Sequence, residues 1–127
     1  MATASSNDRW WQPGGPTLIV VCTTYPDRAT AADRAGLLVA ARLAACVQVV
    51  GPIASCYSWE GAIERSEEWS CHCKTSRGSL AACVDAIRSS HPYTVPEITW
   101  TEIQGSRDYV AWVEESTGAA AGGDVAS

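Results

Sequence analysis

The sequence predicts an α+β domain, a ferredoxin-like sandwich of order β-α-β-β-α-β with an added C-terminal helix. Its helices are expected on one face of a four-stranded antiparallel sheet. Apolar, β-branched runs alternate along the chain with segments of helical spacing. The two middle runs meet at a tight-turn signal, which predicts a hairpin between two right-handed strand–helix–strand units. A chain of 127 residues is long enough for one such core.

The first strand and the first helix come from residues 17–42. The run TLIVVCTTY, residues 17–25, is continuously apolar, which predicts a central strand buried on both faces. Asp27 is placed to cap a helix over residues 28–42. The helical spacing predicts one apolar face, made of Ala32, Ala35, Val39 and Leu43.

A long hairpin follows the first helix. Residues 44–59 return to strand character, and Pro52 indicates an edge position or a bulge within them. Glu60 and Gly61 suit a tight turn, because glycine adopts positive φ without strain. Residues 62–75 then run back as the partner strand. These strands are too long and too apolar to remain a free sheet edge.

The second half of the chain repeats the helix and strand signals. Residues 76–91 form a second helix, which Pro92 ends. Residues 95–103 read as the fourth strand, and residues 107–116 as a short amphipathic helix. The second helix has the i, i+3, i+4, i+7 spacing of a buried stripe, with Leu80, Cys83, Val84 and Ile87.

Composition narrows the classes of protein. The net charge of −5 argues against nucleic acid or an anionic membrane as the main partner. No apolar run is long enough to span a bilayer. Without a secretory signal, we expect a flexible arm over 1–16, a folded domain over 17–117 and a disordered tail over 118–127. The six cysteines are then expected to be reduced, in a cytoplasmic protein.

Four phrases of the sequence are more specific than the predicted topology: ARLAACV (41–47), YSWEGAI (57–63), HPYTVPEI (91–98) and DYVAWVEES (108–116). They resemble phrases of the CutA divalent-cation tolerance family. They occur in the family's order and spacing, from about residue 17 to residue 117. The resemblance implies a homotrimer of ferredoxin-like subunits whose long hairpins meet those of their neighbours. It also implies a role in tolerance to copper and other divalent cations, through metal binding and the response to metal ions.

The resemblance also suggests metal ligands. Cys46 lies within the family's AACV phrase and is a soft ligand suited to Cu(I), although a small packed side chain explains it equally well. The segment HPYTVPE would present His91, Tyr93 and Glu97 at a subunit cleft, or would only be a stiff connection that sets the direction of the last strand. We therefore expect copper, or another divalent cation, at Cys46, His91 and Glu97. The hairpin is acidic at Glu60, Glu64, Glu67 and Glu68, which is either an ordinary solvated face or, repeated three times in a trimer, a surface that attracts cations.

The stretch WSCHCKT, residues 69–75, resembles a metal motif at first sight. Alternation places Cys71 and Cys73 on one face of the strand and His72 on the other, so one ion cannot bind all three. We expect the two thiols to replace core aliphatic side chains. The residues expected at a cleft or subunit interface, with Trp59 as the anchor, are Tyr57, Trp59, His72, Lys74 and Tyr93.

Other classes of protein stay open at this point. A PII-like trimeric signalling module would bind a small anionic ligand at its inter-subunit clefts, where Arg65, Lys74 and Arg77 are the nearby cations. A scaffold role with incidental metal binding is a further alternative. An acylphosphatase-like enzyme would need a phosphate loop after the first strand. Arg28 is present there without a glycine-rich cradle, so we expect no enzymatic activity.

Overall fold

The structure is a computed structural model, and it describes residues 13–119. Most of the expected arm (1–12 of 1–16) and tail (120–127 of 118–127) lies outside the described residues. The elements are β1 Thr17–Tyr25, α1 Arg28–Ala40, β2 Cys46–Trp59, β3 Ala62–Thr75, a 3-10 turn Arg77–Ser79, α2 Leu80–Ser90, β4 Thr99–Gln104 and α3 Arg107–Ser116. Their order agrees with the sequence prediction. No helix within residues 13–119 is long and apolar enough to cross a membrane.

The four strands form one sheet in the order β2-β3-β1-β4, and every neighbouring pair is antiparallel. β1 therefore lies in the interior of the sheet, between β3 and β4, as its continuous apolar run predicted. β4 is an edge strand and is exposed along its whole length. The predicted four-stranded antiparallel sheet is confirmed.

The two faces of the sheet carry different helices. Ile19 and Val21 of β1 point into the main core, which α1 and α2 cover. Leu18, one residue out of phase, instead packs with Val110 and Val113 of α3. The expectation that helices cover one face holds for α1 and α2 but is wrong for α3, which packs on the other face. That face remains open beyond α3 in the described chain.

The first helix begins as predicted but turns a different side to the core. The side chain of Asp27 caps it by accepting a 2.7 Å hydrogen bond from the Thr30 N–H. The buried residues are Ala31 and Leu38, whereas the predicted face included Val39, which is exposed. Within α1 the buried positions are thus offset by one residue from the predicted Ala32 and Val39, and Ala35 is half-buried. Leu43, which lies beyond the end of α1, does pack against the main core. Three consecutive apolar residues, 37–39, make the periodicity ambiguous, and packing against the sheet decides which of them is buried.

The hairpin turn has the geometry that the sequence predicted. Glu60 and Gly61 both have positive φ, of 50° and 81°, which is the requirement of a two-residue type I′ turn. The β2–β3 register is continuous except between Val50 and Ile53, on either side of Gly51–Pro52. The irregularity that Pro52 indicated is therefore confirmed.

Half of the hairpin extends beyond the four-stranded sheet. β1 pairs with β3 only from Trp69 to Thr75, so residues 62–68 of β3 are paired with β2 alone. We call this two-stranded part, residues 53–68, the ribbon. Both of its faces are largely exposed. An isolated pair of strands is marginally stable in water, so the ribbon depends on further packing.

The thiols of WSCHCKT belong to the main core. Cys71 and Cys73 are 1% and 0% exposed, and Cys83 of α2 is fully buried beside them. His72 lies between the two thiols in sequence, is half-buried and points to the other face. The apolar stripe of α2 is also confirmed, because Ile87 is buried with Cys83. Burial raises the pKa of the Cys71 thiol to about 11, so it is not a thiolate at neutral pH.

Arg42 joins the end of α1 to the end of α3. Its backbone has φ +61°, and its carbonyl accepts a 2.9 Å hydrogen bond from the Gly118 N–H. Its guanidinium donates in return to the carbonyls of Gly118, at 2.9 Å, and of Glu115, at 2.7 Å. The side chain therefore satisfies carbonyls that the end of a helix leaves without partners.

We expect Arg42→Ala to lower the free energy of unfolding by about 1–2 kcal/mol, because two charge-assisted hydrogen bonds are lost at an exposed site. Urea unfolding followed by circular dichroism measures this. Arg88→Ala is the matched control, since Arg88 is an exposed arginine without such side-chain contacts among residues 13–119. Equal, negligible losses for the two variants would show that Arg42 contributes nothing to the docking of α3.

Candidate functional site

The segment that joins α2 to β4 crosses an open edge of β1. β4 pairs with β1 only from Thr17 to Cys22, so residues 23–25 of β1 lack a β4 partner. The connecting segment HPYTVPE, residues 91–97, covers this edge. It begins on the face of the sheet that carries α1 and α2, and it ends on the opposite face beside Cys22. It therefore links the main core to the open face of the sheet.

His91 fixes the start of this segment. Its ring stacks on Tyr25, with ring centroids 4.5 Å apart and an interplanar angle of 11°. Its Nδ1 accepts a hydrogen bond from the Tyr93 N–H, so the neutral ring carries its proton on Nε2, 3.0 Å from Thr23 Oγ1. Burial lowers the pKa of His91 and favours this neutral form. Both ring nitrogens thus have hydrogen-bond partners within the chain.

An open cleft of about 820 Å³ lies between this segment and the ribbon. Residues 55–59, Glu64 and Glu68 form the ribbon wall, and residues 92–97 form the other, with Thr24 of β1 between the walls. The second wall is stiff, since proline fixes the backbone at positions 92 and 96. Of the residues predicted at a cleft or interface, Tyr57, Trp59 and Tyr93 meet here, together with Glu97.

The two walls are joined by one hydrogen bond. The Tyr93 hydroxyl donates to Glu68 Oε2 at 2.8 Å, and the side chain of Glu68 is buried, with an exposure of 8%. Burial and this hydrogen bond to the carboxylate raise the pKa of Tyr93, so its hydroxyl remains a donor. The contact holds Glu68 in one position in the wall of the cleft.

The predicted ligand Glu97 lies near a different cysteine from the one expected. Its Oε2 accepts a 3.2 Å hydrogen bond from Thr99, whose Cα is paired in register with Cys22. Partial burial and the charge of Glu97 raise the pKa of the Cys22 thiol. Sequence reasoning missed Cys22 as a neighbour of Glu97. The β1–β4 pairing that reveals it cannot be deduced without the strand register.

The structure does not bring Cys46 to His91 or Glu97 within one chain. Cys46 is paired with Lys74 at the start of β2, which places it roughly 12 Å from Cys22 by strand spacing. His91 contacts side chains on the helix-covered face, whereas Glu97 lies on the opposite one. Within residues 13–119, no three His, Cys, Asp or Glu side chains are grouped closely enough to hold a metal ion. Cys46, His91 and Glu97 remain predicted ligands.

His72 and Lys74 lie on the open sheet face, away from the cleft. His72 is paired in register with Cys22 on one side and Gln48 on the other. The ammonium group of Lys74 donates a 2.7 Å hydrogen bond to Gln48 Oε1. Their expected place at a subunit interface stays a prediction, and this half-polar face is the surface on which it would form.

Together, the sheet and the cleft define a class of protein: a small α+β domain with a projecting hairpin and an acidic, aromatic-lined cleft at its base. Residues 19–116 match the family model described as CutA1 divalent ion tolerance protein. The chain belongs to this CutA1 family, as the four sequence phrases indicated.

Individual relatives agree with this assignment. A divalent-cation tolerance protein CutA from Salmonella newport (strain SL254) is 37% identical over 102 residues, 80% of this chain and 89% of that protein. The solved CutA1 structure from Thermus thermophilus is similar with a TM-score of 0.75 and 36% identity, over 81% of this chain and 100% of that one. The CutA1 structure from Oryza sativa has a TM-score of 0.74 and 36% identity, over 80% and 94% of the two chains.

Proposed function

We propose that the protein binds copper or other divalent metal ions and takes part in the response to metal ions. It does so as a cytoplasmic homotrimer of ferredoxin-like subunits, without catalysing a reaction. The observation that carries this proposal is membership of the divalent ion tolerance family over residues 19–116. The strand order β2-β3-β1-β4 with two helices on one face supports the ferredoxin-like part of it.

A trimer accounts for the two surfaces that a single chain leaves uncovered. The ribbon exposes apolar side chains that include Ile63, 75% exposed, and Trp59, 43% exposed. The open sheet face exposes Val50 and Ile103 beside its polar residues. Exposed apolar surface of this extent is typical of an interface between chains. Association through the ribbon would also protect its free strand edges.

One chain supplies only part of a metal site, which is consistent with a site shared between subunits. Cys22 and Glu97 supply one thiol and one carboxylate near each other, which is fewer than a closed site needs. A neighbouring chain would supply the remainder. Copper accepts both sulfur and oxygen ligands, and its binding would release the proton that the raised pKa of Cys22 retains on the thiol.

The comparisons favour this function over a PII-like module that binds a small anion. The cleft also disfavours an anionic ligand, because Glu64, Glu68 and Glu97 line it. Carboxylates in the walls of a cleft repel a ligand that carries a phosphate or a carboxylate group. The family relationship and the charge of the cleft thus both favour the metal-ion function over the PII-like alternative.

Calorimetric titration of the reduced protein with Cu²⁺, Cu⁺ and Zn²⁺, with light scattering on the same sample, tests the proposal. We expect saturable binding of copper and a mass of three chains. A protein that remains monomeric at micromolar concentration, or that takes up none of the three ions, would contradict it.

Four variants locate the metal. We expect Cys22→Ser and Glu97→Gln each to lower copper affinity by about tenfold or more, since each removes one ligand. The double variant Cys71→Val/Cys73→Ala is the control and should bind normally, because its thiols are core side chains. Cys46→Ser separates the two candidate thiols. Loss of binding in Cys46→Ser with Cys22→Ser unaffected would place the site at the start of β2 instead.

A further inference from the structure

His72 and Cys22 are neighbours on the open sheet face. They are paired in register across β3 and β1, and residues directly opposite on antiparallel strands direct their side chains to the same face. The Cβ atoms of such a pair are about 4.5–5.5 Å apart. The pairing lies within one chain, so an association of chains over the open face leaves it unchanged. His72 therefore lies beside a thiol of a different strand, not beside the two thiols that flank it in the sequence.

Cys22 lies between His72 and Glu97. The sheet order β3-β1-β4 places Thr99 on the other side of Cys22, in register with it. Thr99 donates the 3.2 Å hydrogen bond to the Glu97 carboxylate, whose charge acts on the Cys22 thiol. An imidazole and a carboxylate thus flank one thiol, which brings nitrogen, oxygen and sulfur donors to one part of the open face.

The three side chains must change conformation to share an ion. In the arrangement of residues 13–119 without metal, no three such side chains are grouped closely enough to hold one. A nitrogen and a sulfur that share a tetrahedral ion are about 3.5 Å apart, given metal–ligand distances of about 2.0 and 2.3 Å. This separation is shorter than the Cβ separation of an opposite pair, so rotation about side-chain bonds can bring the donors of Cys22 and His72 together.

The two histidines of the chain differ in their freedom to turn. Both ring nitrogens of His91 have hydrogen-bond partners, and the ring stacks on Tyr25. The ring of His72 has no hydrogen-bond partner among residues 13–119. His72 can therefore rotate toward Cys22 without breaking a hydrogen bond within its own chain, whereas His91 would lose two such bonds and a ring stack.

We propose that His72 is a ligand of the metal site at Cys22 and Glu97, so that one chain presents sulfur, nitrogen and oxygen donors to a borderline divalent ion such as Zn²⁺. Thiolate and imidazole both suit Zn²⁺, and a carboxylate completes a set of three protein ligands. The fourth position is left for a neighbouring chain or water. This inference rests on the proposed metal function and names the ligands of that site.

Nitrogen NMR of the reduced, full-length protein shows which histidine binds the ion. Zn²⁺ is the probe, because it is a d¹⁰ ion and leaves the signals sharp. With two histidines, the imidazole region contains two pairs of ring-nitrogen signals, and each pair is assigned through its own backbone signals without a variant. We expect Zn²⁺ to shift the His72 pair and to leave the His91 pair in place. A shift of the His91 pair alone, or of neither pair, would overturn the proposal.

His72→Leu is expected to lower the affinity for Zn²⁺ by about tenfold or more, measured by competition with a chromophoric chelator. Gln48→Leu is the matched control, because it places the same side chain beside His72 on the same face of the sheet, one strand away. It should bind Zn²⁺ normally. Light scattering on both variants checks that they assemble as the unmodified protein does. Equal losses of affinity in the two variants would show an effect of the surface and not of the imidazole, and would overturn the proposal.

The metal function and the ligand role of His72 fail separately. Copper binding without Zn²⁺ binding would overturn the Cys22–His72–Glu97 site for a borderline divalent ion and would leave the metal function standing. Zn²⁺ binding with the His72 signals unmoved would overturn the ligand role alone. A protein that binds neither metal would contradict the proposed function and the ligand role together.

Discussion

Gly51→Ala is expected to lower the free energy of unfolding by about 3 kcal/mol, the upper end of what overpacking costs. A Cβ atom at position 51 would lie 2.3 Å from Cδ1 and 2.6 Å from Cγ of Trp69. The indole cannot move aside easily, because it is rigid and packs against the main core. Either the ring must leave its position or the β2 backbone must shift away from β3.

Gly36→Ala is the matched control for this substitution. Gly36 lies within α1, and a Cβ there would meet nothing within 4 Å. Alanine is favoured over glycine inside a helix by about 0.5–1 kcal/mol, so we expect the opposite sign of effect. Both variants are measured by urea unfolding at one fixed protein concentration, since association makes apparent stability concentration-dependent. If Gly51→Ala proves as well tolerated as Gly36→Ala, the indole does not occupy this space.

Tyr25→Ala is expected to cost about 3–5 kcal/mol, in the range of a lost core aromatic side chain. Tyr25 is 1% exposed, lies in the main core, and forms the stack that holds His91. The substitution would leave a cavity beneath His91, the residue that precedes the cleft wall. Thermal unfolding followed by near-ultraviolet circular dichroism measures the loss, because that signal reports the packing of aromatic rings.

Tyr25→Phe separates the ring from its hydroxyl group. The buried Tyr25 Oη has no hydrogen-bond partner among residues 13–119, so it is desolvated without compensation. We expect the phenylalanine variant to be as stable as the unmodified protein, or more stable by about 1 kcal/mol. A loss comparable to that of Tyr25→Ala would mean that the hydroxyl has a polar partner, such as a buried water molecule.

Local signals predicted much of the fold. The turn at Glu60–Gly61 and the bulge at Pro52 depend on the backbone preferences of single residues, which act wherever the chain places them. The stripe containing Cys83 and Ile87 was clear because polar and small residues separate its apolar positions. Where apolar residues are consecutive, as at Leu37 to Val39, the pattern does not indicate which of them faces the core, and packing against the sheet decides it.

The cleft lay beyond sequence reasoning for a different reason. Its walls come from segments about thirty residues apart, and they meet only because HPYTVPE crosses the open edge of β1. The hydrogen bond between Tyr93 and Glu68 depends on that crossing. The proximity of Glu97 to Cys22 depends on the strand register in the same way. Residue types therefore indicated the chemistry of the site, but the partners of each residue required the tertiary structure.

The ribbon also affects how the protein can evolve. Residues 64–67 are polar, mostly exposed and have no third strand beside them, so most substitutions there should change stability by little. The opposite wall is constrained by Pro92, Pro96 and the buried ring of Tyr25 beneath His91. One wall of the cleft is thus free to diversify while the other stays constant. Ligand preference could drift among related chains through changes in the ribbon alone, with the core sequence left under separate selection.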